Sequence, residues 1–165
     1  REARDVPEDE ALSYVGGYLA VNDVSARDVQ NWTSQWTLGK SFDGFAPVGP
    51  FLVTAEDIPD PQDLRIETRL NGVTVQSSST ANMVFTVAAL VSELSAVMTL
   101  EPGDIIATGT PGGIGAAQDP PRFLRAGDVV EVEIERLGCL RNPVIAHDGK
   151  TSEPAEPAQL EGRAL

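Results

Sequence analysis

Leu64–Gln76 reads LRIETRLNGVTVQ. Leu64, Ile66, Thr68 and Leu70 fall on one side of an alternating run, and Arg65, Glu67 and Arg69 on the other. That is the period of a half-buried strand. Asn71-Gly72 separates this run from Val73, Thr74 and Val75. Both turn residues tolerate the positive φ of a type I′ turn, so the stretch is predicted to be a β-hairpin. It puts antiparallel pairing in the middle of the chain.

Working outward from the hairpin, two further turns precede apolar runs. Leu100–Asp104 leads into Ile105–Thr108, and Leu124–Asp128 leads into Val129–Val132. Each is predicted to be a tight turn, with Gly103 or Gly127 at the position needing positive φ, feeding a strand. Val130, Val132 and Ile134 alternate with Glu131, Glu133 and Glu135, which places one face of that strand in solvent. Arg141–Ala146 reads as one more short strand. Towards the N-terminus, Tyr18–Val21 reads as a buried strand and Ala46–Thr54 as a strand whose prolines suit an edge.

The chain contains one long amphipathic pattern. Apolar residues at 83, 87, 90, 91, 94, 97 and 98 predict a helix over Met83–Met98 whose stripe belongs to the core, not to a cofactor pocket. Pro7–Glu10 has the proline and acids of a helix start, closed by Gly16-Gly17. Ser25 is placed to cap a single turn running through Gln30. The count is about seven strands, one long helix and a few single turns. Strands joined by turns argue for a largely antiparallel or mixed β architecture with one packed helix, and against a doubly wound fold.

The 165 residues suffice for one domain, and 41% hydrophobic against 22% charged residues is ordinary for a folded protein. A net charge of −13 argues against a nucleic-acid surface, and its plain reading is a solvated acidic exterior. No apolar run is long enough to span a membrane. Arg1–Glu10 lacks the apolar core of a signal peptide. With Cys139 as its single cysteine the chain cannot form an internal disulfide, which suits a reducing cytoplasm. The domain is placed at residues 1–146. Residues 147–165, polar and proline-bearing, read as a poorly ordered arm, with the lone histidine, His147, outside any catalytic set.

Chemistry concentrates in Gly17–Lys40, GYLAVNDVSARDVQNWTSQWTLGK. Asp23 follows a buried strand, so it is either a turn former or a ligand for a hard cation such as Mg²⁺, which needs few carboxylates because it keeps several waters. Arg27 and Gln30 stand four and seven residues on, roughly one helical face with Asp23. Arg27 could equally form a surface ion pair with Asp28, and Lys40 could be an ordinary exposed lysine. Thr108–Gly115, TGTPGGIG, is either a flexible loop or a backbone that approaches a ligand. It has neither P-loop nor G-x-G-x-x-G spacing.

The stretches NDVSARDVQ, GKSFDGFAPVGPFL, the Asn71-Gly72 hairpin, TLEPGDIIATGTPGGIG and AGDVVEVEIERLG, taken in order from about Pro7 to Val144, resemble the fumarylacetoacetate hydrolase family. The resemblance implies a mixed β-roll or sandwich-like fold with one long packed helix and short helical turns. It implies a homodimeric enzyme with one divalent metal per site, Mg²⁺ or Mn²⁺, with Ca²⁺ also accommodated. The implied substrates are 2-oxo or dioxo acids, including those of aromatic catabolism, that are hydrolysed at C–C bonds, decarboxylated, isomerised or hydrated. Asp23 matches the metal-binding aspartate, Arg27 and Gln30 match substrate-facing residues, and Lys40 matches a lysine near metal and substrate oxygen. Thr110 with Gly109 matches the position that binds the substrate's carboxylate or oxo group. The family also places a Glu-x-Glu pair of metal ligands upstream. Glu8-Asp9-Glu10 has that spacing but sits too close to Asp23. Two expectations follow: the chain is the C-terminal part of a metal-dependent enzyme, or it is a catalytically weak homologue with a binding or assembly role.

Overall fold

The computed structural model describes residues 1–146, so the expected arm at 147–165 and His147 lie outside the described residues. The predicted hairpin forms the frame. β3 (Arg65–Leu70) and β4 (Val73–Ser79) pair antiparallel, and Asn71 and Gly72 adopt φ of 53° and 78°, as a type I′ turn requires. β3 also pairs antiparallel with β5 (Val129–Ile134), and β5 with β6 (Gly138–Pro143), giving the sheet order β4-β3-β5-β6. A second sheet pairs β1 (Gly17–Val21) with β2 (Val48–Thr54). Ala20 of β1 packs on Val132 and Leu140, so the small sheet lies against β5 and β6. Ile58, Leu64 and Leu137 form an adjoining cluster.

Two antiparallel sheets with few helices agree with the expected β-rich architecture, but several details differ. The helix runs over Val87–Val97, eleven residues, and Met83–Phe85 precede it in non-helical backbone with Val84 and Phe85 exposed. The start is fixed by two side chains: Thr86 Oγ1 accepts from Ala89 N, and Gln62 Oε1 accepts from Val87 N across the fold. The buried side of this helix, α2, includes Val91 and the fully buried Ser95, while Val97 and Met98 are exposed. Ser95 Oγ accepts from Val6 N, and Ser92 Oγ donates to Val6 O, so the N-terminal segment docks through serines. Ala3, Val6, Ala11 and Val91 make the apolar part of this contact.

Other expectations are also corrected. Pro7 does begin a helical segment, but over Glu8–Tyr14 it is a 3-10 helix. Ile105–Thr108 forms no strand, so the described residues contain six strands. The last strand begins at Gly138 instead of Arg141. The glutamate face of β5 is not simply bathed in solvent. Arg69 bonds Glu67, Glu131 and Glu133 together, and its guanidinium is held more firmly protonated than usual by those three bonds, Glu67 first.

Candidate active site

The site is built where β1 ends. Val21 completes the strand, and Asn22 N still donates to Pro47 O of the neighbouring chain segment. The chain then turns into α1 (Arg27–Gln30), a single helical turn. Ser25 does not cap it: its hydroxyl donates to Asp23 O, and Ala26 occupies the cap position without a side-chain bond. A 3-10 turn at Thr37–Lys40 folds back on α1. Gly39 is buried against Gln30, Ala26 N donates to Gly39 O at 2.8 Å, and a Cβ on Gly39 would lie 2.7 Å from Gln30 Cβ. The absence of a side chain at Gly39 is what lets the turn close.

That closure brings Lys40 to Asp23, 17 residues earlier, and Lys40 Nζ donates to Asp23 Oδ2. Their side chains are 30% and 48% exposed, so the pair faces solvent and contributes little to stability. Beside it, Arg27 Nη1 donates to Gln30 Oε1 at 2.8 Å. Gln30 is buried at 4% exposure, which fixes one side of the guanidinium, and among the described residues its other N–H groups have no side-chain partner. Asp23 pairs with Lys40 and Arg27 with Gln30, and the packing of Gly39 on Gln30 brings the two pairs into one neighbourhood. Sequence reasoning missed Gly39, which joins the two pairs.

Gly109 and Thr110 lie apart from this cluster. They line a groove of about 780 Å³ together with Val21, Ser78, Asn82 and Ile106, so the end of β1 adjoins both places. The glycine-rich loop is seated on β4. Gln76 Nε2 donates to Thr110 Oγ1 at 3.0 Å and to Pro111 O at 2.8 Å, and a Cβ on Gly113 would collide with Val75 O. Gln76 was also missed, because a glutamine ending an alternating strand carries no distinguishing pattern. On the groove wall, burial and then the negative charge of Asp60 raise the pKa of Tyr18, so its hydroxyl stays protonated.

Asp23 supplies one hard oxygen, and among the described residues no three His, Cys, Asp or Glu side chains are grouped so that they could hold a metal ion. Glu8, Asp9 and Glu10 are exposed on the N-terminal 3-10 helix. The donor set suits Mg²⁺ in type, since that ion is bound through one or two carboxylates with water and substrate oxygens completing its shell.

Residues 1–145 match the family described as Fumarylacetoacetate (FAA) hydrolase C-terminal. The chain belongs to the fumarylacetoacetate hydrolase family. Among its relatives is Oxaloacetate tautomerase fahd2, mitochondrial, of Xenopus laevis, 48% identical over 147 residues, which cover 88% of this chain and 46% of that protein. A 2,4-didehydro-3-deoxy-L-rhamnonate hydrolase of a Sphingomonas species is 50% identical over 143 residues, 86% of this chain and 50% of the relative. The solved fumarylacetoacetate hydrolase of Exiguobacterium antarcticum superposes with a TM-score of 0.87 at 48% identity, over 89% of this chain and 53% of that one. The chain thus spans about half the length of these family members. Among the described residues no helix is long and apolar enough to cross a membrane.

Proposed function

We propose that this chain forms the metal- and substrate-binding wall of an enzyme that acts on a 2-oxo or dioxo acid through an enolate, by isomerisation, C–C hydrolysis or decarboxylation. The observation that carries this reading is the Asp23–Lys40 pair, closed over 17 residues by the turn at Thr37–Lys40. Tautomerase and hydrolase relatives support it, since both of those reactions can begin by forming an enolate next to a carbonyl. Asp23 would hold Mg²⁺, or Mn²⁺ or Ca²⁺ in its place. The ion would supply Lewis acidity to the adjacent oxygens of a 2-oxo acid.

The chain's own residues do the rest. Lys40 is fixed beside Asp23, where its ammonium can donate to the oxygen that gains charge as the enolate forms. Arg27, oriented by buried Gln30, presents further N–H donors to an anionic group. Thr110 and the backbone at Gly109 hold the substrate carboxylate from the groove side. The half-exposed free thiol of Cys139 suits a reducing, cytoplasmic setting. Exposed Trp36, Leu38, Phe51 and Leu52 supply apolar surface for a homodimer.

The test is the enol–keto conversion of oxaloacetate, followed by ultraviolet absorbance in the full natural protein with Mg²⁺. Asp23→Asn and Lys40→Met are each expected to lower kcat/KM roughly 100-fold. Wild-type kcat/KM in both variants would refute the reading. The second reading, a catalytically weak homologue with a binding or assembly role, is favoured by the single carboxylate in the described cluster. Mg²⁺-dependent turnover by the 165-residue chain alone would exclude it.

A further inference from the structure

We infer that Gln76 is a positioning residue that engages one lone pair of the Thr110 hydroxyl and leaves its proton for a ligand, so that the groove favours an oxygen acceptor, a carboxylate or ketone oxygen, over a group that only donates, such as an ammonium. The inference rests on the assignment of Thr110 to substrate binding.

The hydrogen-bond bookkeeping is closed at Gln76. The Pro111 carbonyl can only accept, so the atom of the Gln76 amide that faces it at 2.8 Å must be the nitrogen. The same nitrogen lies 3.0 Å from Thr110 Oγ1, and its second proton goes there. Thr110 Oγ1 is thereby filled as an acceptor on that side. Its own proton has no acceptor among the described residues, and Thr110 is exposed on the groove. A hydroxyl in this state gives its proton to whatever enters. An oxygen with lone pairs gains a bond. A group that only donates has less to meet, because Gln76 already engages one of the hydroxyl's two lone pairs.

Gln76 is fixed for this task. It sits on β4 opposite Thr68 of β3, and Gly113 seats the same loop on Val75, the preceding residue. Glutamate at position 76 would have nearly the same shape and the opposite polarity. Its carboxylate would accept the Thr110 proton and repel the Pro111 carbonyl.

The full natural protein tests this with Gln76→Glu, Gln76→Leu, Thr110→Val and the Gln76→Glu/Thr110→Val pair. The readouts are KM for oxaloacetate, the inhibition constant of oxalate, kcat and the urea midpoint. Gln76→Glu is expected to raise KM and the oxalate constant about tenfold or more, the scale of one hydrogen bond to a charged group, with a smaller change in kcat. The urea midpoint should stay in place. Gln76→Leu should raise both constants less, because it removes the donor without supplying a rival acceptor. In the double variant, Gln76→Glu should add nothing to Thr110→Val. If Thr110→Val raises KM while neither Gln76 variant does, the Gln76 role is overturned and the Thr110 assignment stands. If Thr110→Val itself leaves KM and the oxalate constant unchanged, the Thr110 assignment falls, and the inference falls with it.

Discussion

Replacing Gly39 with alanine should loosen the site without touching a charged group. The added Cβ would stand 2.7 Å from Gln30 Cβ and 2.8 Å from its Cα and N. Two of these three atoms are backbone atoms of α1, so no rotamer change relieves them all. Reaching ordinary van der Waals separation requires the turn and the helix to part by roughly 0.7 Å. That retreat stretches the Ala26 N to Gly39 O bond, now 2.8 Å. Overpacking costs ~1–3 kcal/mol and a lost backbone bond ~1 kcal/mol. The solvent side of the turn is open, with Leu38 63% exposed, so the turn can yield outward, which favours the lower end, about 2 kcal/mol. For a chain of this length the corresponding fall in Tm is about 4–8 °C. Lys40 is the next residue, so its ammonium should leave Asp23 and kcat/KM should drop about tenfold or more, since displacements of this size are costly where groups must be aligned. Urea unfolding and steady-state kinetics read the two effects. Gly16→Ala is the control, because a Cβ there meets nothing within 4 Å. If Gly39→Ala matches Gly16→Ala in midpoint and in kcat/KM, the claim that Gly39 seats Lys40 is wrong.

Two further perturbations concern the frame. Asn71 Nδ2 donates to Asp128 Oδ1 at 2.7 Å, and this bond, followed by that from Arg125 N, holds the Asp128 carboxyl below its ordinary pKa. A depressed folded pKa gives stability that is complete above about pH 4, the unfolded value, and is lost as pH falls through the folded one. Asn71→Ala should therefore lower the urea midpoint at pH 7 and flatten its decline below pH 4; an undiminished decline would contradict the linkage. Arg69→Met leaves Glu67, Glu131 and Glu133 on one face without their shared cation, and should lower Tm more at low salt than at high salt. Adding Glu133→Gln should recover part of the loss, and thermal scans at two ionic strengths check both points.

The parts of this chain that could be read from sequence are those set by neighbours along the chain. Asn71-Gly72 forms its turn because φ is decided residue by residue, and β3 alternates because its two faces meet different media. The misreadings occur where a distant partner decides. The apolar stripe extends back to Met83, but Gln62, 25 residues away, meets the amide of Val87 and helps set the helix start. The hydroxyls of Ser92 and Ser95 dock the N-terminal segment, so a buried serine interrupts a stripe sought only among apolar residues. Ile105–Thr108 has the composition of a strand, but composition does not supply a ladder partner, and among the described residues it has none. In the site, Asp23, Arg27, Gln30 and Lys40 were visible as residue types. Their grouping depends on how Gly39 packs, which no spacing encodes.

The two glutamines explain why exposed functional groups keep a fixed geometry here. Gln30 accepts from Arg27, and Gln76 donates to Thr110 and Pro111. Each is at least partly buried and carries no charge. A carboxylate at position 30 would orient Arg27 as well, but it would also neutralise the guanidinium that the proposed function assigns to an anionic substrate. A neutral amide directs a donor without cancelling its charge. In a chain with a net charge of −13, that economy matters most. An anion approaching Lys40 and Arg27 must find local positive charge within an acidic surround. Lys40 is already partly offset by Asp23, so Arg27 supplies the charge that remains. On this argument a divalent cation at Asp23 would do more than bind substrate oxygens. By satisfying the carboxylate it would free the Lys40 ammonium and raise the positive charge of the site, with Lys40 held beside Asp23 by their pairing.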